Sequence, residues 1–350
     1  MSKRAIELQF HWIFILIAGA VILAFFFSVV QKQRALSEEK LSITLAGQMD
    51  AIFTGAIESK GTTQSLVTPK PGIAFSCSKV CECNYHIGRK ATEFRDKLLF
   101  APAMIKDQDA IAWAIEWKLP FRIANFLLLT NPTIKYYIVY ERGDQLSEQL
   151  YRRVNIALPK ELNQVAIGSL RDITRLTPQG DAQTRLVFLG TQEPDLRSLN
   201  LDFAREDVSG VWINADAITA VFYEKTDPDE LEFSEYPSVL AGDTTVYGAI
   251  FAADHQMYEC VMKRAFEKLG VIAQVQAKRA QELKNTVSAA RPECAYVLQD
   301  LQTVAQKAEQ VAGAQALRDA EAAISVIRGA QSALQLQNTN LIKQSCPELY

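Results

Sequence analysis

FHWIFILIAGAVILAFFFSVV, residues 10–30, decides how the rest of this 350-residue chain is read. From Leu8 to Gln31 the only titratable side chain is His11. At a rise of 1.5 Å per residue, a helix over this run spans about 30–36 Å, the hydrocarbon thickness of a bilayer. The apolar part of a cleaved secretory signal is only about 7–15 residues long. Here the run carries on well past the small-residue stretch Ala18-Gly19-Ala20. The expectation is an uncleaved transmembrane anchor over residues 1–34, with Phe10 and Trp12 at one interface and Lys32 and Arg34 at the other. A buried core helix is the plainer alternative.

Charge does not orient the span, because Lys3 and Arg4 on one side balance Lys32, Arg34 and Lys40 on the other. Cysteine usage does. All six cysteines lie beyond the span, an even number suited to an oxidising exterior. The amino terminus is therefore expected in the cytoplasm and the bulk of the chain outside the cell membrane.

Three of the six fall in FSCSKVCECNYHIG, residues 75–88. By spacing alone, Cys77, Cys81, Cys83 and His86 are four ligands of the kind a tetrahedral zinc or an iron–sulfur centre accepts. In an oxidising compartment the same thiols pair instead, and disulfides are the favoured reading with no metal and no cofactor. Cys81 and Cys83, one residue apart, make poor mutual partners, so Cys77 is expected to bridge to one of them. Cys260 should take the third cysteine of the cluster. Cys294 and Cys346 flank a predicted antiparallel helical return that brings them together.

The composition, 49% hydrophobic and 22% charged with a net charge of −3, is that of a folded body and not of a disordered stalk. No basic excess or arginine-rich stripe is present, which argues against nucleic acid as a partner. The overall class is mixed α/β (α+β). Residues 35–71 read as a stalk helix, with an apolar stripe through Leu41, Leu45, Met49, Ile52, Phe53 and Ala56, followed by a turn-rich linker. Residues 72–253 read as a mixed-sheet domain. Ile111, Trp113, Ile115 and Trp117 share one strand face, and YYIVY, the helix DQLSEQLYRRVNIAL capped by Asp144, and QVAIG form a β–α–β unit. VSGVWINADAITAVFYE reads as two antiparallel strands, and TVYGAIF as another strand.

Residues 254–350 turn helical and form a hairpin or small bundle, with a longer intermolecular coiled coil as the alternative. The first helix runs to about Ala290, Pro292 opens a second in its first turn, and Gly313 divides that from a third. Along the third, Gln331 and Asn338 occupy polar seam positions.

The usual catalytic signatures are missing: no G-x-S-x-G, no phosphate-binding G-x-x-x-x-G-K-[ST], no G-x-G-x-x-G and no H-E-x-x-H. His255 lies five residues before Cys260, a weak nucleophile pair that a disulfide would abolish. The acidic run from Asp227 to Glu235 lacks a calcium-loop pattern, and Asp243-Thr244-Thr245 is one protease-like arm without a second. A non-enzymatic, membrane-anchored binding or structural protein with protein partners at the cell surface is the leading expectation. A surface hydrolase assembled from distant residues and a receptor subunit acting through a partner are the alternatives.

The amino-terminal KRAIELQFHWIFILIAGAVILAFFFSVV resembles the class III signal and anchor region of archaeal pilin-like proteins, with Arg4-Ala5 at the junction. It lacks the glycine usual in that motif. WKLPFRIANFLLLTNPTIKYYIVY, YGAIFAADHQMYECVMKRAF and the closing SCPELY look like segments of single-pass surface proteins of small-genome archaea. The resemblance implies a recurring protein and not an activity; a component of a surface appendage or envelope assembly is one form of the leading expectation, on the missing catalytic motifs and a helical tail suited to packing against partners.

Overall fold

The apolar run lies inside one 56-residue helix, α1 (Lys3–Glu58). The computed structural model describes residues 3–59, 61–69, 72–106, 109–175, 183–196, 208–216, 218–225 and 233–350. Within α1, Ile15–Gln33 has a mean hydropathy of 2.2 and none of it is buried. The same helix then enters the body, where Ala46, Met49, Phe53 and Ala56 are buried. Their spacing of threes and fours is one stripe of a 3.6-residue period. Leu41 and Ile52 lie off that azimuth and are exposed, so the stripe is narrower than hydrophobicity suggested. Asn125 closes the end of α1 by donating to the Ile57 carbonyl at 2.7 Å.

Three sheets follow. The segment expected as a linker contains β1 (Thr63–Val67). Next come β2 (Ile73–Cys77), β3 (Cys83–Ile87), β4 (Lys90–Glu93), β5 (Leu99–Phe100), β6 (Met104–Ile105), β7 (Asp109–Lys118) and β8 (Arg122–Thr130). The order β4-β3-β2-β6 makes one small sheet and β1-β7-β8-β5 another. The first packs on α1 through Phe53, whose ring meets Phe75 at 6.3 Å and Tyr85 at 5.6 Å. Tyr85 also donates its hydroxyl proton to the Ala46 carbonyl of α1 at 2.8 Å.

The largest sheet has six strands in the order β10-β9-β11-β12-β13-β14. Its elements are β9 (Lys135–Tyr140), α2 (Gln145–Ala157), β10 (Gln164–Ile167), β11 (Thr184–Gly190), β12 (Val208–Asn214), β13 (Thr219–Lys225) and β14 (Phe233–Val239). β9, α2 and β10 form the expected β–α–β unit with parallel strands, and β11 and β12 continue in parallel. β12, β13 and β14 are antiparallel, so the sheet is mixed.

TVYGAIF is not a strand. It belongs to α3 (Asp243–Phe251), which is buried from Thr245 to Phe251. A helix enclosed on every side carries no apolar period, and a short apolar run of this kind reads equally well as a core strand. Thr245 secures its first turn by accepting from the Ala241 N–H and donating to the Gly242 carbonyl. Gly248 lets α3 lie on Phe100, because a Cβ there would sit 2.9 Å from that ring.

The tail consists of α4 (His255–Ala290), α5 (Gln299–Gly313) and α6 (Leu317–Lys343). Asp254 caps α4 by accepting from the Met257 N–H at 2.7 Å. Pro292 does not restart a helix; it lies in the turn before α5, where Tyr296 is anchored by donating to the Pro347 carbonyl at 2.8 Å. Nor does Asn338 work as a helix–helix seam residue. Its side chain accepts from the Leu349 N–H at 2.7 Å and donates to the Tyr350 carbonyl at 3.5 Å, so it pins the last residues of the chain to α6.

Arg185, on β11, is fully enclosed where α3 ends. It donates to the carbonyls of Ala249 at 2.9 Å, Ile250 at 3.2 Å and Ala253 at 3.4 Å, and to Ser209 Oγ at 2.8 Å. Burial lowers its pKa to about 10, which keeps the guanidinium charged at neutral pH against the negative end of the α3 dipole. Arg185→Met should cost about 3–5 kcal/mol in denaturant unfolding, because it strands carbonyls in a dry interior. Arg185→Lys should fall between. A loss below about 1 kcal/mol for Arg185→Met would show that this cap is dispensable.

Candidate functional site

The chain reverses its direction of travel across the six-stranded sheet between β9 and β11. β9 connects through α2 to β10 on one side, while β11 and β12 lie on the other. In open α/β sheets, ligands bind in the crevice that such a reversal leaves at the carboxyl ends of the strands. A cleft of about 410 Å³ opens there.

The turn after β9 builds its floor. Gly143, at φ +93°, bends the chain so that Asp144 can cap α2. Buried Ser147 then ties the strand ends together, accepting from the Glu141 N–H at 2.9 Å and donating to the Leu189 carbonyl. On the rim, one oxygen of Asp144 accepts from the Leu146 N–H at 3.1 Å and the other from Thr191 Oγ1 at 3.2 Å. Glu141 accepts from the Leu170 N–H at 3.3 Å and Ser169 Oγ at 3.4 Å. Glu193 accepts from the Tyr223 hydroxyl at 3.1 Å, and burial together with that carboxylate pushes the Tyr223 pKa far up.

The wall is apolar. Val139, Phe188 and Trp212 stand side by side on neighbouring strands and border the cleft. Trp212 is 7% exposed, and its Nε1 is buried without a hydrogen-bond partner. Among the described residues, three carboxylates and no lysine or arginine line the space. The arrangement sets carboxylate acceptors on the rim against an apolar wall. Sequence reading found Asp144 as a helix cap but none of this site, since Glu193 and Trp212 come from elements far along the chain. The available signal was the acidic ERGD turn directly after a parallel strand.

The cysteines expected as site residues lie elsewhere. Cys77 and Cys83 face each other across β2 and β3 with an S–S distance of 1.98 Å. Cys81, in the intervening turn, pairs with Cys260 of α4 at 2.11 Å, and Cys294 pairs with Cys346 at 2.06 Å. Arg264 reinforces the second junction by donating to the Cys81 carbonyl at 2.6 Å. The three sulfurs of the alternative four-ligand set each stand at bonding distance from another sulfur. His86 sits on β3 opposite Ala74 and Ala91. Among the described residues no group of His, Cys, Asp and Glu is arranged to hold a metal. Of the acidic run, residues 227–232 lie outside the described residues. Asp243 begins α3 and pairs with Arg153 at 3.2 Å, away from any second aspartate arm.

His255 does not meet a free thiol. Its ring stacks on Tyr236 at 3.8 Å, and Nδ1 lies 2.9 Å from Glu224 Oε1, which also accepts the His255 N–H at 2.6 Å. Burial opposes protonation of the ring, but the hydrogen bond and charge of Glu224 outweigh it, aided by Glu259 and Asp254, and the pKa is raised.

No protein-family profile, curated protein or solved structure matches the chain.

A raised folded-state pKa makes the His255 contribution complete below the unfolded value of 6.5 and lost as pH rises through the folded value. Thermal unfolding should therefore show stability falling as pH rises from about 6.5. His255→Phe, which keeps the stack on Tyr236, should flatten that loss. An equal pH slope in the variant would assign the titration to other groups.

Proposed function

We propose that this chain is a single-pass membrane protein whose body, held outside the cytoplasm, binds a small ligand in the strand-end cleft. One observation carries the reading. A single helix presents Ile15–Gln33 with no buried residue and then buries Ala46, Met49, Phe53 and Ala56 in the body. Nineteen residues of helix rise about 28 Å, close to a bilayer core, and side chains this apolar need a solvent other than water.

Three cysteine pairs at bonding distance, with no free thiol, support an oxidising compartment for the body. The short segment before the span then faces the cytoplasm. The cleft supports binding over a purely structural role, because strand-end crevices gather ligand groups from several loops.

A second reading, a component of a surface appendage or envelope assembly, draws support from apolar side chains left exposed along the tail. Val271 and Val275 on α4 and Leu336 and Ile342 on α6 are all more than half exposed. The pilin-like character of the amino terminus favours the same reading. This second reading places protein partners at the outer surface.

In sealed right-side-out vesicles, added protease should degrade the body and leave a membrane-held fragment containing residues 15–33. Denaturation without reductant should expose no reactive thiol. A body that is cleaved only after the vesicles are opened, or six alkylatable cysteines, would place it in the cytoplasm and overturn the proposal.

A further inference from the structure

We propose that the turn of the β3–β4 hairpin docks on the membrane that holds α1, with Arg89 and Lys90 against anionic lipid headgroups. The inference rests on the reading of Ile15–Gln33 as a bilayer span, and it adds a second contact between body and membrane.

Height makes the first argument. α1 runs unbroken from the span into the body, and Ser42 is the first buried residue beyond the span among the described residues. Gly88, in the hairpin turn, lies against it: a Cβ there would sit 2.9 Å from Ser42 Oγ. One helical turn further on, Tyr85 of β3 donates to the Ala46 carbonyl at 2.8 Å. β3 therefore descends along α1 towards the span, and the turn that follows it ends level with Ser42. Between Gln33 and Ser42 the helix rises about 14 Å. The polar headgroup layer takes up about 5–7 Å of that. What remains is about the length of an extended arginine or lysine side chain, whose apolar stem lies along the surface while its charged end reaches the phosphates.

Rigidity makes the second. Ile87 and Lys90 pair across the two-residue turn Gly88-Arg89. Gly88 has φ +58°, and neither that conformation nor its closeness to Ser42 admits a side chain. Tyr85 and Ile87 are fully buried, and the Cys77–Cys83 pair ties the start of β3 to β2. The turn is held at its height before any lipid meets it, so docking orders little beyond two side chains.

Charge selects the partner. Arg89 and Lys90 are exposed, and among the described residues neither enters an ion pair. Glu93, at the far end of β4, is already engaged by Arg95 at 2.8 Å. Along the sequence between the span and the body, Lys32, Arg34 and Lys40 outnumber Glu38 and Glu39. The whole chain carries −3, so positive charge is concentrated where α1 leaves the span and meets the hairpin. An anionic bilayer attracts such a cluster, each lysine or arginine at the surface strengthening attachment about fivefold.

Hydrogen–deuterium exchange of the full chain in nanodiscs reads the contact. One set of discs holds phosphatidylcholine alone, and in the other about a quarter of the lipid is phosphatidylglycerol. Amides of residues 84–93 should exchange at least about threefold more slowly in the anionic discs. In 1 M salt, where the screening length is about 3 Å, the difference should vanish. Arg89→Gln combined with Lys90→Gln should erase it at low salt, with unchanged protection over residues 46–58 as the control for folding. Equal exchange in the two sets of discs, or a slowing that survives in the double variant, would overturn the proposal. Residues 15–33 separate the two claims. If they are protected while the hairpin ignores lipid charge, the docking fails and the span stands; if they are unprotected, the span fails and the docking with it.

Discussion

One helix carries two apolar stretches, one left uncovered and one packed into the body, and the rest of the structure follows from that constraint. The span in α1 has no protein to hide in, and the later turns bury one stripe, Ala46, Met49, Phe53 and Ala56, in the core. Between them the chain never leaves helical geometry. The body therefore does not hang on a loop; β3 and β4 of the small sheet and the β7–β8 pair are packed directly on the helix that carries the apolar span. Phe53 and Tyr85 make the joint by ring contact, Asn125 satisfies the end of the helix, and Lys97 reaches Asp50 at 2.7 Å. That last ion pair is partly solvated and adds little; apolar burial carries the joint.

A second fastening runs along α4, which connects the sheets to the tail. Cys260 ties its first turns to the small sheet through Cys81, and Arg264 donates to the Cys81 and Phe94 carbonyls beside that bond. Arg185 does similar work on the large sheet, turning the buried carbonyls at the end of α3 into acceptors for an enclosed charge. Both arginines are costly to desolvate, and both recover that cost by donating to buried backbone oxygens. The result is one continuous apolar core from Ala46 in α1 to Leu349 near the carboxyl end. A separate apolar cluster, including Phe188 and Trp212, backs the cleft on the opposite face of the large sheet.

The sequence speaks most clearly where one face is wet and the other dry. The β–α–β unit around Asp144, the β12–β13 hairpin and the three tail helices have such faces, and the structure contains them. It speaks poorly where burial is complete. α3 lost its period to enclosure on all sides, and β1 hid among prolines and glycines because its partner, β7, lies some fifty residues away. Polar residues misled for another reason. Asn338 was positioned by a helical repeat, whereas its partners, Leu349 and Tyr350, lie in an irregular segment that no repeat describes. The cleft was illegible for the same cause: its carboxylates and its indole meet only through the order of strands.

In the proposed function the cleft and the anchor act together: a strand-end cleft on a body held at the bilayer would sample whatever reaches the membrane surface. Hydrogen–deuterium exchange of the full chain in lipid nanodiscs tests the underlying claim most directly. Amides of residues 15–33 should be protected by lipid and those of 46–58 by the core, with faster exchange in the exposed helical turns between them. Exchange over 15–33 as fast as in that intervening segment would contradict the membrane assignment, and loss of protection over 46–58 would contradict the rigid union of anchor and body.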